Sequence, residues 1–292
     1  MERRTFVGGA LASAIAAPAM AERSQEDFLD VWQRDTDKVE ARAYREYLRD
    51  GDTRSLVSLE KLDRAFDKVM REVKETEVGG TPAVWSLYNM GYVVKTRGAV
   101  FAIDLVHRRA AEFAPILDFL LVTHNHDDHF HRELYRSMDR AGKTVISNFL
   151  DNYGVKDWRR DGGFTRSEKV FKIKDTEIRT SLVDHNAYLV DFTTAFEIRV
   201  GGWIAYHTGD CGVSAKLGTK WGRPDLWMFF PGCGIDVADA VGRVRPRRTV
   251  FGHLWELGHQ TGRLTAPLIR RALARSKGCG DVTVRLWGER IS

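Results

Sequence analysis

Leu120-Leu121-Val122-Thr123-His124-Asn125-His126-Asp127-Asp128-His129-Phe130 is the stretch from which the fold and chemistry of this 292-residue chain are read. Its apolar half, ending at Thr123, reads as a buried strand. Four side chains able to bind a metal then fall within six residues as the chain leaves that strand. Histidines two apart on extended or tightly turning backbone can aim at one point, and Asp128 and His129 on the next turn aim at a second point a few ångströms away. The spacing suits two divalent ions sharing a water.

The motif His124-x-His126-x-Asp128-His129 is similar to the signature of the metallo-β-lactamase superfamily, and the resemblance runs along the chain. Asp104 follows Val100-Phe101-Ala102-Ile103, and His185 follows Thr180-Ser181-Leu182-Val183-Asp184. Asp210 ends His207-Thr208-Gly209-Asp210, and His253 follows Thr249-Val250-Phe251-Gly252. The resemblance implies an α/β fold, a four-layer αββα sandwich of two mixed β-sheets between helices. It implies that His124, His126 and His185 hold one metal, that Asp128, His129 and His253 hold the second, and that Asp210 bridges them. Asp104 is then a carboxylate behind the ligands, orienting them as ligating histidines commonly require. His259, six residues beyond His253, is an alternative last ligand or a substrate contact, with His253 preferred for its place after an apolar run. The cofactors expected are two divalent metal ions, zinc first, with manganese or iron as alternatives. A metal-bridging hydroxide is the expected nucleophile, with Asp128 and Asp210 holding or relaying its proton.

Departures from the family pattern narrow the chemistry. True β-lactamases of the superfamily lack the bridging aspartate, so Asp210 argues against that activity. Members that reduce oxygen at iron usually carry Glu where this chain has His126. Only about forty residues separate Asp210 from His253, too few for the inserted domain of the superfamily's nucleases. The setting of His185, between Val183-Asp184 and Asn186-Ala187, is most similar to the ascorbate-phosphate lactonase and N-acylphosphatidylethanolamine phospholipase D branch. The implied function is hydrolysis of an ester-like bond, a phosphodiester or a lactone. The alternatives are a non-catalytic metal-binding protein on the same fold and an iron-dependent oxidoreductase.

Composition sets the remaining bounds. With 43% hydrophobic and 29% charged residues the chain is ordinary globular material. Its net charge of +5 is spread without a dense basic tract, which disfavours nucleic acid as a partner and leaves a small, anionic substrate open. Cys211, Cys233 and Cys279 are too few and too scattered for a disulfide scaffold or a four-thiolate zinc site, so His and carboxylate are the expected donors. Cys211 and Cys233 either line the pocket or pair after export, and no cysteine nucleophile is required.

Residues 1–21 read as a twin-arginine export signal: Arg3-Arg4-Thr5-Phe6-Val7, a small-residue run from Gly8 to Ala17, then Ala19-Met20-Ala21. The uncharged stretch is short of the roughly 20 apolar residues of a spanning helix, so no stable membrane span is expected. The protein should be exported folded by the twin-arginine machinery to the periplasm or another extracytoplasmic space. Residues 22–78 are helical in pattern, with Leu59, Leu62, Phe66, Val69 and Val73 at three- and four-residue spacing; the segment is expected to pack, to contact another protomer in an oligomer, or to cover the site. Residues 79–292 form the catalytic domain, read as strand runs that include 84–96, 187–200 and 282–287, with a late helix capped at Thr265. Arg243, Arg245, Arg247 and Arg248 occupy an expected loop in which a guanidinium such as Arg247 can meet an anionic substrate. His207 is expected to be structural, His107 and His131 solvated, and Trp255 a pocket wall.

Overall fold

Alternation along the strands sorts the apolar residues into two environments. In the computed structural model, which describes residues 25–53, 56–149, 168–258, 264–276 and 280–292, Phe119 and Leu121 enter one hydrophobic cluster while Leu120 between them enters another. The export-signal residues, His259 and Cys279 lie outside the described residues. The first cluster, with Phe101, Ile146, Ile178, Phe196, Met228 and Val250, fills the space between two sheets. The other lies on their outer faces, where helices cover them.

The first sheet has the order β1-β2-β3-β4-β5, formed by Ala83–Ser86, Tyr92–Lys95, Val100–Ile103, Phe119–Leu121 and Thr144–Ile146. Its β1, β2 and β3 are antiparallel, whereas β3, β4 and β5 are parallel. The second has the order β12-β11-β10-β9-β8-β7-β6, from Asp281–Val284, Arg248–Phe251, Leu226–Phe229, Trp203–His207, Thr193–Val200, Thr176–Val183 and Lys169–Ile173. Strands β9 to β12 are parallel and β6 to β9 antiparallel. Two mixed sheets flanked by helices are the sandwich that the resemblance implied.

The helical segment divides into α1 (Gln25–Asp37), α2 (Ala41–Asp50) and α3 (Val57–Glu75). The stripe Leu59, Leu62, Phe66, Val69 and Val73 is consumed within the molecule, in one cluster with Trp85, Val93 and Ala102 on the outer face of the first sheet. Asp63 fastens the contact: it accepts from Tyr47 Oη at 2.9 Å and from Arg108 Nε and Nη2 at 3.1 and 3.0 Å. His107, expected to be solvated, is 2% exposed, stacks on Phe66 with ring centroids 4.1 Å apart, and lies 2.7 Å from Tyr47 Oη. Trp255 is buried edge-on against Trp32 at 5.2 Å, so it fills the core rather than walling a pocket.

Local backbone chemistry divides two of the expected strands. The run 84–96 is a hairpin, because Asn89 adopts φ +60° and the chain reverses between Leu87 and Gly91, whose N–H and C=O meet at 2.7 Å. The run 187–200 starts as a strand only at Thr193, since Asn186 Oδ1 accepts from the N–H groups of Tyr188 and Leu189 at 2.9 and 3.0 Å and winds the preceding residues into a loop. The arginine segment also differs. Arg243 is in α5 (Val237–Val244), whose N-cap is Asp236, Arg245 is its left-handed C-cap, and Arg248 begins β11. The last helix, α6 (Ala266–Arg275), starts after Thr265 with proline in its first turn, while α4 (Arg132–Arg140) follows the histidine loop.

Candidate metal centre

Parallel strands carry their carboxyl ends to one edge, and the loops leaving that edge meet there. Past β3 comes Asp104, past β4 the loop bearing His124, His126, Asp128 and His129, past β7 His185, past β9 Asp210, and past β11 His253. Gly209 lets two of these loops close on each other: at φ +50°, a Cβ there would sit 2.7 Å from Thr193 Cγ2 and 2.8 Å from Thr123 Cβ.

Metal-binding atoms of His124, His126 and His185 lie within 4.8 Å of one another, and so do those of Asp128, His129 and His253 and those of His124, His129 and Asp210. Asp210 therefore stands between two triads of the composition expected from the sequence. His253 Nε2 is 3.0 Å from Asp128 Oδ2 and 3.2 Å from Asp210 Oδ2, while His129 Nε2 is 3.2 Å from Asp210 Oδ1. His185 Nε2 is 3.6 Å from Asp210 Oδ2.

A buried scaffold orients these groups. The Asp104 carboxylate, fully buried, accepts from Thr123 N at 2.7 Å and from Thr123 Oγ1 at 2.6 Å, and lies 2.8 Å from His129 Nδ1. Thr123 Oγ1 also sits 2.9 Å from His124 Nδ1, so one carboxylate supports both histidines. Asn89, at the hairpin turn, donates from Nδ2 to Asp128 Oδ2 at 2.8 Å. Neither Asn89 nor the hydroxyl role of Thr123 was anticipated; an asparagine two residues before Gly91 signals a turn, and only the return of β2 beside β3 brings that turn to the histidine loop. His207 Nε2 lies 3.0 Å from the Met90 carbonyl, the structural role expected of it.

The electrostatics divide the histidines. Burial and the neighbouring His129 hold His124 well below its ordinary pKa, and burial also lowers His126 and His185. Burial opposes charge on His129 and His253 too, but Asp210 and Asp128 outweigh it, raising His129 well above the usual value and His253 to about 10. Asp128 and Asp210 are buried against their charge, yet the histidines keep both well below the ordinary carboxylate range.

These donors fit a metal. Asp128 Oδ1, His129 Nε2, His185 Nε2 and Asp210 Oδ1 are all buried and make no hydrogen bond. Such atoms are costly unless something pairs them. Their concentration at one spot, beside two carboxylates that require positive charge, is the signature of a cation site.

One other expectation meets a different arrangement, and one open alternative is resolved. Arg247 stands at the amino end of β11, exposed and paired with Asp225 at 3.1 Å, and the strand carries the chain away from it before His253 is reached. At about 3.3 Å per residue it lies far from the centre. Cys211 and Cys233 are both free thiols rather than a disulfide. Cys211 Sγ donates to the Val213 carbonyl at 3.4 Å, and burial pushes its thiol up to about 11.

Comparison with known proteins agrees with this architecture. A "UPF0173 metal-dependent hydrolase" of Anaeromyxobacter sp. (strain K) is 28% identical over 251 residues, 73% of this chain and 87% of that protein. Igni18, described as a novel metallo hydrolase from the archaeon Ignicoccus hospitalis, superposes with a TM-score of 0.55 at 20% identity over 72% of this chain and 97% of its own. A variant of the β-hydroxylase CmlA of Streptomyces venezuelae shares the fold with a TM-score of 0.51 at 17% identity, covering 84% of this chain and 62% of that one. The beta-lactamase superfamily domain matches residues 86–241, more than half of the sequence and a span that holds the ends of β3, β4, β7 and β9 but not that of β11. The chain therefore belongs to the beta-lactamase superfamily.

Proposed function

We propose that this protein is a metal-dependent hydrolase that holds two divalent ions, zinc first among them, and cleaves an ester-like bond in a small substrate, a phosphodiester or a lactone. The observation that carries the reading is the pair of triads, His124/His126/His185 and Asp128/His129/His253, on either side of Asp210, with orphaned buried donor atoms facing inward. The printed name of the Anaeromyxobacter relative supports metal-dependent hydrolysis. The lactonase and phospholipase D branch rests on the sequence around His185 and Asp210, and export on Arg3, Arg4 and the run behind them.

Divalent ions supply two things when bound: a water acidified to a pKa of about 7 and positive charge facing a developing oxyanion. The protein's own residues set the geometry. Asp104 accepts from His129 Nδ1 and, through Thr123, steadies His124, so that both rings present Nε2 inward. Asn89 pins one oxygen of Asp128 and leaves Oδ1 without a hydrogen-bond partner. Asp128 and Asp210 are the carboxylates placed to take a proton from an attacking water and return it to a leaving oxygen. Phe192, whose ring lies 5.2 Å from His126 and 5.9 Å from His185, walls this side of the centre with apolar surface.

The shared fold of the CmlA variant keeps an iron-dependent oxidoreductase as the second reading. Metal analysis combined with a panel of activated esters, lactones and phosphodiesters separates the two. Hydrolysis that vanishes with chelator, returns with zinc, rises through an apparent pKa of about 7 and falls at least about a hundredfold in Asp210→Asn supports the proposal. Two bound ions with no hydrolysis across the panel, or visible iron absorbance with oxygen consumption, would refute it.

A further inference from the structure

Strands β9, β10 and β11 are parallel neighbours, and the outer two deliver Asp210 and His253 to the centre. The strand between them leads to Pro231-Gly232-Cys233-Gly234. Its thiol arrives beside the same carboxylate: metal-binding atoms of His185, Asp210 and Cys233 lie within 4.8 Å of one another. His185 Nε2, 3.6 Å from Asp210 Oδ2, is buried and makes no hydrogen bond, so it presents an unused donor atom there.

The backbone holds the thiol in place. Cys233 sits at φ +53°, where a side chain costs about 1 kcal/mol or more and glycine is the usual occupant. The loop is clamped by Gly212, where a Cβ would come within 2.3 Å of the His185 carbonyl and 2.8 Å of the Cys233 carbonyl, so the loops after β7, β9 and β10 are locked together. Cys211, although it adjoins Asp210 in sequence, turns its sulfur to the Val213 carbonyl.

We propose that Cys233 is a sulfur ligand of the centre, sharing with His185 and Asp210 the metal on the His124/His126/His185 side. The inference rests on the metal dependence proposed above, and it replaces the all-nitrogen-and-oxygen donor set of the sequence reading by a mixed one. As the sulfur–metal bond forms, the Sγ–H bond breaks and its proton leaves to solvent; nothing is oxidised or reduced. A soft thiolate beside imidazole favours zinc or cobalt(II) over manganese.

The test is cobalt(II) loading of the purified, chelator-stripped full chain. A near-ultraviolet thiolate-to-cobalt charge-transfer band should accompany the visible ligand-field bands, persist in Cys211→Ser and disappear in Cys233→Ser. A second readout needs no variant: zinc should slow iodoacetamide labelling of Cys233, measured by peptide mass spectrometry, by at least about tenfold while leaving Cys211 unchanged. Bound cobalt without the charge-transfer band, a band that survives Cys233→Ser, or labelling of Cys233 indifferent to zinc would overturn this ligand assignment and leave the hydrolase reading standing. A chain that takes up no cobalt and no zinc would overturn both.

Discussion

Asp104→Asn removes one charge, keeps the volume and reverses the hydrogen-bond logic behind the centre. The native carboxylate serves three neighbours: Thr123 N at 2.7 Å, Thr123 Oγ1 at 2.6 Å and His129 Nδ1 at 2.8 Å. With its amide oxygen on Thr123 N, an asparagine turns an NH2 group toward the other two. Thr123 Oγ1 can rotate and accept. His129 Nδ1 must give up its proton to do so, and that proton then resides on Nε2, the atom that lies 3.2 Å from Asp210 and has to face a metal. The metal must displace it. Loss of such supporting carboxylates typically weakens metal binding by about 10- to 100-fold, or about 1.4 to 2.8 kcal/mol. The larger loss should fall on the ion proposed for Asp128, His129 and His253, since His124 depends on Asp104 only through Thr123. Competition of the purified variant against a chromophoric chelator, with circular dichroism to verify folding, measures this directly. A folded variant that binds both ions within about twofold of wild type would refute the orienting role of Asp104.

Asn89→Gly retains the φ +60° backbone and deletes the amide on Asp128; a hydrogen bond to a charged group is worth about 1.5 to 3 kcal/mol, so metal affinity should fall by at least about tenfold in the same competition assay. His107 is held below its ordinary pKa by burial, with Asp63 pulling the other way, so the unfolded chain takes up this proton more readily than the folded one. The stability that the neutral ring allows is complete above pH about 6.5 and declines as the pH falls below it; thermal melts between about pH 7 and about pH 5 should show a steeper loss in wild type than in His107→Gln. Replacing Arg3 and Arg4 together by Lys should leave uncleaved protein in the cytoplasmic fraction, and continued export of that double variant would remove the twin-arginine assignment.

Much of the candidate centre was legible in the sequence because its metal-binding side chains are tied to local events. A strand must end before a loop can turn its side chains to a metal, and apolar runs ending at Ile103, Thr123, Val183 and Phe251 announce those ends. The dense cluster His124 to His129 needed no tertiary information, and neither did the order of His185, Asp210 and His253 behind it. The helical stripe of α3 was equally local, since three- and four-residue spacing reports a buried face whatever covers it.

What the tertiary structure alone decided concerns groups whose roles depend on which strands become neighbours. Asn89 reaches Asp128 because the hairpin at Leu87 to Gly91 brings it to the histidine loop, 39 residues away in sequence. His107 is buried because α3 lays Phe66 on it, and Arg247 is remote because α5 and β11 turn its segment to the opposite edge of the sheet. Cys233 was one of three scattered cysteines until β10 took its place between β9 and β11. Periodicity along a chain records which face of an element is apolar; strand order is set by packing between elements distant in sequence, and it is strand order that placed a thiol beside Asp210.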